Sequence, residues 1–417
     1  MKVVLLALGS RGDVQPMVAL GRELAVRGQP VTVVAMRDYG GLVTSAGLDF
    51  APIERSMTES VLSAAGPSGR VSTNPIAFVR GASRWLAGIA PQVMAAELAA
   101  VEPDDLIVAG LLSIDDGAAL REITGCRVMN VLFAPMLPTV AGNSSVLGPR
   151  HHTASSRINR MAGRIGVAAA TTMCTSTGRV LRASRGLTRT SAGRFVRLVC
   201  DTPTLLAFSP VLVPPASDWP EHVCQTGAWL DPEPDSTWQP PAELAAFLAA
   251  GPPPVFISFG SVPGTDPDVD LIARGAALSG HRVVLGSVGP ELPDLPPEVH
   301  VLTDAPYRWL LPRMAAVIHH GGAGTTTESL LAGVPNAAVS IGADQPFFGR
   351  RVHELGAGPS PVRRGALSAQ RLAALINDLT GDAAPGYRAA ANTVREQLLA
   401  ERGVQIAADR LIEEIKS

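Results

Sequence analysis

Cysteine is scarce and scattered. The four in 417 residues, Cys126, Cys174, Cys200 and Cys224, include no Cys-x-x-Cys pair. That spacing fits neither a zinc knuckle nor a disulfide scaffold, and a reducing cytoplasm is the compartment expected. No apolar run approaches the ~18–20 residues of a membrane span. The run at the start, Val3–Leu8, is six residues long. It is shorter than the roughly 7–15 residues of a signal-peptide core, and a charged loop follows it rather than a small-residue cleavage site. A surplus of positive charge is missing too: 35 basic against 37 acidic residues leave a formal charge of −2. Without a broad basic field, a nucleic-acid partner is not expected, and neither is integral membrane association. Apolar side chains make up 46% of the chain, enough for a core and too many for a disordered protein. A chain of this length is expected to divide into two domains of about 100–200 residues.

Val3–Leu8 reads as a parallel strand buried on both faces, and Gly9-Ser10-Arg11-Gly12-Asp13 as a turn. Val14, Met17, Val18, Leu24 and Ala25 then form one face of a helix that Gly28 closes. Val31–Ala35, Leu106–Ala109 and Val128–Leu132 continue the alternation. It restarts with strands Val255–Phe259, Val283–Leu285, His300–Leu302 and Val317–Ile318, a helix near Asp268–Leu278, and a helical end at roughly Ala389–Ile415. Such alternation implies an α/β chain of two doubly wound domains facing each other. Seven prolines between Pro214 and Pro241 read as a stiff linker. The expected division is therefore 1–213, a linker at 214–241, and 242–400, with 401–417 as a C-terminal helix packing back on the first domain. Thr139–Val199, rich in Arg, Ser, Thr and Gly, reads as a solvated charged insertion; the sharper alternative is a flap over a substrate.

The strongest chemical signal is Ile318-His319-His320-Gly321-Gly322-Ala323-Gly324-Thr325-Thr326-Thr327-Glu328, which follows a short strand and opens a helix. Glycines let a backbone approach an anion, helix-start N–H groups attract negative charge, threonines add hydroxyls, and two histidines offer a cation. Phosphate or diphosphate is the ligand this chemistry suits. A dinucleotide turn is the rival, because Gly322-x-Gly324 is present with Asp344 twenty residues beyond, but Thr327 stands where the third glycine belongs. Asp344 and Gln345 combine a helix cap before Pro346 with a good acceptor and donor pair for sugar hydroxyls. Asp13 reads likewise as a helix cap. Asp115 and Asp116 are reserve carboxylates better suited to capping. No clustered carboxylate and histidine set stands out, so no metal is expected.

The stretch HHGGAGTTTESLLAGVP followed by ADQ, within Thr303–Gln345, resembles the donor-binding signature of the nucleotide-sugar-dependent glycosyltransferase family with the GT-B fold. GSRGDVQP near the N-terminus, QTGAW at Gln225–Trp229 and PVFISFGSV at Pro254–Val262 resemble its branch of glycopeptide-antibiotic glycosyltransferases and sterol 3-β-glucosyltransferases. The resemblance spans most of both halves and leaves out Thr139–Val199. It implies two Rossmann-like domains facing across a cleft, with acceptor binding in the first and donor binding in the second. It implies that His320, Gly322, Gly324, Thr325 and Thr326 contact the diphosphate and that Ser261 holds a phosphate oxygen from the other side. Glu328 is implied to bind ribose, and Asp344 and Gln345 the donor sugar. Asp13 occupies the place of the histidine base of many relatives and is implied to be the general base, with Ser10 and Arg11 orienting it. One departure is Asp304 before Ala305-Pro306, where plant members carry a base-stacking Trp.

The activity implied is an inverting, metal-independent O-glycosyl transfer from a UDP- or dTDP-sugar, the nucleotide-sugar being a co-substrate and no cofactor being needed. The acceptor would be a lipophilic small molecule such as a polyketide, macrolide, glycopeptide or sterol, in a pocket drawing on Phe78, Trp85, Phe133 and Met136, with Met57 and Leu137 as further apolar material. The alternatives are a catalytically inactive nucleotide-sugar-binding auxiliary protein, an NAD-dependent oxidoreductase and, more distantly, an epimerase.

Overall fold

The computed structural model describes residues 1–65, 75–147, 156–230, 238–260, 269–286 and 295–416. The chain clusters into two compact units, Met1–Asp231 with Arg402–Ser417, and Pro232–Glu401. In the first, seven strands form one sheet: β1 (Val3–Leu6), β2 (Val31–Met36), β3 (Asp49–Ile53), β4 (Leu106–Ala109), β5 (Arg127–Leu132), β6 (Thr204–Leu206) and β7 (Val223–Gln225). Their order is β3-β2-β1-β4-β5-β6-β7, with every pairing parallel. In the second, β8 (Val255–Ser258), β9 (Val283–Gly286), β10 (Val299–Leu302), β11 (Ala316–His319), β12 (Asn336–Ser340) and β13 (Val362–Arg363) pair in parallel in the order β10-β9-β8-β11-β12-β13. Both sheets thus reverse direction once, between β1 and β4 and between β8 and β11. In open α/β sheets ligands bind outside the carboxyl ends of strands at such a switch point.

β1 and β8 are short apolar runs because both sheet faces are covered: all four residues of β1 are buried, as are all four of β8. The helix expected after Val14 begins earlier, at Arg11, and ends at Val26; it holds Pro16 inside its second turn. Ser10, not Asp13, is its N-cap.

Two expectations need correction. The segment Thr139–Val199 is not a solvated insertion. Its described part contains the helices Ser156–Cys174, Gly178–Ser184 and most of Ala192–Asp201, which bury Val167, Leu181, Phe195 and Val199 in the first unit. Arg182 on the second of these helices is wholly buried, its Nε on Asp115 Oδ1 at 2.9 Å and its Nη1 on Glu122 Oε1 at 2.9 Å. Arginine content there reflects an internal ion pair as well as a wetted face. Secondly, the proline-rich stretch is not all linker: Val223–Gln225 is a strand of the first sheet, and Trp229 is buried in that unit's core. The C-terminal helical run is two helices, divided just before Gly403. Ala384–Leu399 belongs to the second unit; Gly403–Lys416 buries Val404, Ala407, Ala408 and Leu411 in the core of the first, and Arg27 pairs with its Asp409. Gly403 marks the break, because a Cβ there would collide with the Ala228 carbonyl.

No described helix is long and apolar enough to cross a membrane.

Candidate active site

At the switch point of the second sheet, β11 ends in His319 and the chain turns through His320, Gly321 and Gly322 into the helix Ala323–Leu331. The first helical hydrogen bond runs from Thr326 N–H to Gly322 O at 3.0 Å. The N–H groups of Ala323, Gly324 and Thr325 therefore lie free of the helix ladder at its positive end. Among the described residues, a Cβ built on Gly324 meets nothing within 4 Å.

The two histidines have different surroundings. His319 is wholly buried; its Nδ1 accepts the Gly321 N–H at 3.0 Å, and its Nε2 faces Asn336 Oδ1 at 3.2 Å. Burial lowers its pKa to about 3. His320 lies against backbone that only glycine permits. Its ring is within 3.1 Å of where a Gly260 Cβ would stand, at the end of β8, and would collide with one on Gly322. Its Nδ1 is buried with no hydrogen-bond partner among the described residues, and desolvation lowers its pKa to about 4. Without a bound anion, desolvation disfavours the cationic form of both rings.

Thr326 departs from expectation. Its hydroxyl donates to Gly322 O at 2.8 Å inside the helix, and Thr327 does the same to Ala323 O at 2.8 Å, so neither is presented outward. Thr325 is partly exposed on the helix start. Glu328, one turn on, is held by the Arg308 guanidinium, Nε to Oε2 at 2.9 Å with both side chains largely buried. Arg308, on the short helix Tyr307–Leu310, carried no signal in the sequence.

Beyond β12, Gln345 Oε1 accepts the N–H groups of Ile341 at 2.8 Å and Gly342 at 3.4 Å. This closes a loop in which Ala343 sits at φ +54°, a left-handed conformation that costs a non-glycine residue on the order of 1–3 kcal/mol. Asp344 is the N-cap residue of the helix Gln345–Glu354, yet its side chain makes no capping bond. The carboxylate is thus not spent on the role its position suggests. Ser261 lies outside the described residues.

At the switch point of the first sheet, Gly9 follows β1 at φ +143°, and a Cβ there would run into Asp13 Oδ2. That oxygen accepts both the Ser10 N–H at 2.8 Å and the Ser10 hydroxyl at 3.0 Å. Desolvation raises the Asp13 pKa against these bonds, which lower it. Tyr39, unmarked in the sequence reading, lies in the field of Asp13, and burial with that charge raises its own pKa. Ser10 thus positions Asp13, whereas Arg11 Nε reaches along the helix to Gln15 Oε1 at 3.0 Å.

The apolar candidates divide. Phe133 stacks edge-on against the buried Trp229, with centroids 5.8 Å apart, at the border of the core. Met136 and Trp85 are half-buried, and the Trp85 Nε1 is a buried donor without a partner among the described residues. Nothing is described of the Phe78 side chain. Asp115 and Asp116 are not caps but wholly buried. Asp115 Oδ1 takes Arg182 and the Thr190 hydroxyl, and Asp116 Oδ2 takes the Thr177 hydroxyl at 2.6 Å. Among the described residues no group of three or more His, Cys, Asp or Glu could hold a metal ion. Asp266 and Asp268, a closely spaced carboxylate pair, lie outside them.

Comparison with known proteins agrees with this layout. Residues 3–101 match the glycosyltransferase family 28 N-terminal domain, and residues 275–413 match the C-terminal domain of erythromycin biosynthesis protein CIII-like proteins. The chain is 32% identical to O-mycaminosyltylonolide 6-deoxyallosyltransferase of Streptomyces fradiae, covering 98% of this chain and 96% of that one. It is 29% identical to a sterol 3-beta-glucosyltransferase of Arabidopsis thaliana, covering 97% of this chain and 64% of that enzyme. It spans only 26% of the sterol 3-beta-glucosyltransferase of Neosartorya fischeri. The fold matches that of the glycosyltransferase VinC, solved in complex with dTDP, with a TM-score of 0.63, 19% identity and full coverage of both chains. The chain is a glycosyltransferase, a member of the GT-B family of nucleotide-sugar-dependent enzymes in the branch that includes macrolide glycosyltransferases and sterol 3-β-glucosyltransferases.

Proposed function

We propose that the chain transfers a sugar from a UDP- or dTDP-sugar to a hydroxyl of a lipophilic natural product, inverting the anomeric centre and using no metal or cofactor. The observation that carries this reading is the turn after β11, where the N–H groups of Ala323, Gly324 and Thr325 stand outside the helix ladder and the His320 ring packs against Gly322 at the helix start. Such a site suits a group that gains negative charge as it leaves. In the reaction, Asp13 takes the proton of the acceptor hydroxyl, and the oxygen attacks C1 of the sugar. The bond from C1 to the diphosphate oxygen breaks, and its electron pair departs with the nucleoside diphosphate. The N–H groups of Ala323, Gly324 and Thr325 stabilise that diphosphate, and its negative charge raises the affinity of His320 for a proton. By family resemblance Glu328 receives ribose hydroxyls, and Asp344 with Gln345 those of the sugar. Trp85 and Met136 contribute to the acceptor pocket. The reading places the enzyme in the cytoplasm, with no nucleic-acid partner.

The test is transfer from a panel of UDP- and dTDP-sugars to macrolide, polyketide and sterol acceptors, with the anomeric configuration of product read by NMR. Asp13→Asn and His320→Ala are each expected to lower kcat/KM by about 10²–10⁴ while the fold survives. EDTA is expected to leave the rate unchanged. Full activity in both variants, a retained anomeric configuration, or loss with EDTA that magnesium restores would each overturn the corresponding part. An auxiliary protein would bind nucleotide and transfer nothing.

A further inference from the structure

We propose that His319 is a positioning residue: a buried latch that shapes the anion turn through its Nδ1 and is held in the required tautomer by Asn336. The inference rests on the donor-binding reading of that turn and adds a role for the first histidine of the pair, which touches no ligand space.

The Gly321 N–H donates to His319 Nδ1 at 3.0 Å, so that nitrogen carries no proton. The ring proton is on Nε2, which donates to Asn336 Oδ1 at 3.2 Å. Asn336 is itself fixed at the start of β12: its Nδ2 donates to Val334 O at 3.3 Å, its backbone N–H to Ala357 O at 3.1 Å, and it is wholly buried. This amide orientation makes the oxygen face the ring.

Gly321 needs such a hold. It stands at φ +91°, and a Cβ there would come within 2.7 Å of the Gln345 carbonyl and 3.2 Å of the Ala338 Cβ. The turn is therefore wedged beneath the backbone that begins the Asp344-Gln345 segment, and the latch fixes its height. An unlatched Gly321 N–H would be a buried donor with no acceptor, a costly state that the turn would relieve by moving. Displacement of Gly321 carries His320 and Gly322 with it.

The latch works only with a neutral ring, because an imidazolium would point a second N–H at that of Gly321. Burial keeps the ring neutral, with a pKa of about 3. Its register neighbours, Ser258 on β8 and Ala338 on β12, are uncharged, and among the described residues the titratable group acting on it is His320.

Asn336→Asp tests this. A carboxylate beside Nε2 favours the imidazolium and so raises the His319 pKa. Binding of UDP and dTDP is measured by calorimetry between about pH 5 and 8 and read as the ratio of variant to wild-type affinity, so that the nucleotide's own protonation cancels. The ratio is expected to fall by about tenfold or more towards pH 5 while thermal unfolding shows the variant folded. A flat ratio in a folded variant whose ¹⁵N shifts show His319 charged at pH 5 overturns the latch. The wild type gives a second reading that needs no variant: ¹⁵N imidazole shifts of His319 should show a neutral ring protonated on Nε2 across the same range. A proton on Nδ1, or a titration within that range, overturns it equally. If neither nucleotide binds the wild type, the donor reading fails, and the imidazole shifts still decide the latch.

Discussion

Asp13 holds two opposed influences in one carboxylate. Two hydrogen bonds from Ser10 favour its charge, and loss of water disfavours it more, so the net pKa is raised. A general base gains strength from such a shift provided it stays ionised at working pH. The acid limb of kcat/KM is therefore expected above the ordinary carboxylate value of 3.8, with activity lost as pH falls through it. A pH profile whose acid limb lies at or below that value would remove Asp13 from the role. Gly9 gives an independent check on position. Gly9→Ala places a methyl where Asp13 Oδ2 sits, at a φ of +143° that an L side chain rarely adopts. That variant should lose activity beyond what its lowered Tm explains, measured as residual kcat/KM at a temperature where circular dichroism shows it fully folded.

The helix Ala323–Leu331 shows what a stretch of sequence reveals and what it hides. Its glycines, the two histidines, the threonine run and its place after an apolar strand are all local chain chemistry, so the expectation of an anion site there could be read from the sequence. The spending of the Thr326 and Thr327 hydroxyls on the helix backbone was hidden, since a threonine at a helix start reads the same whether it faces inward or outward. Arg308 was hidden for another reason: it reaches Glu328 from a separate short helix, and only the fold brings the two together. In the first unit, Val3–Leu8 and Leu106–Ala109 announced themselves as strands by continuous apolarity, whereas β7, three half-buried residues among prolines, had no such pattern. Gly324 makes the element's role measurable. Among the described residues a Cβ there meets nothing within 4 Å, and alanine is a better helix former than glycine by up to about 1 kcal/mol. Gly324→Ala should thus hold or raise Tm while weakening UDP or dTDP binding, because the methyl occupies the ground before the N–H groups. Unchanged nucleotide affinity, by calorimetry, would mean that the helix start is not where the diphosphate sits.

Each unit has one reversal in its sheet order, and the candidate residues lie at that reversal; the first also contains a polar core that the proposed chemistry does not explain. Glu97, Asp115, Asp116 and Arg182 are all buried, and one arginine cannot balance three ionised acids there. Desolvation raises Asp116 to about 7, and desolvation with the Asp116 charge raises Glu97 well above its ordinary value. Glu97 and Asp116 are both buried and the Asp116 charge acts on Glu97, so protons are retained in the folded state and released on unfolding. The sign follows by linkage. Stability from these groups is fully present below their unfolded pKa values, near 3.8 for Asp and 4.5 for Glu. It is lost as pH rises towards about 7 for Asp116 and further for Glu97, at about 1.4 kcal/mol per pH unit for each proton held. Glu97→Gln replaces one titrating carboxyl by an amide that stays neutral. Unfolding free energy, followed by urea titration from about pH 5 to 9, should decline less steeply in this variant than in the wild type. Removing the Arg182 side chain is the contrasting case: Arg182→Ala leaves Asp115 buried without its cation and should cost roughly 3–5 kcal/mol near neutral pH. Parallel pH curves for Glu97→Gln and wild type would show that the acid cluster is not the source of the slope.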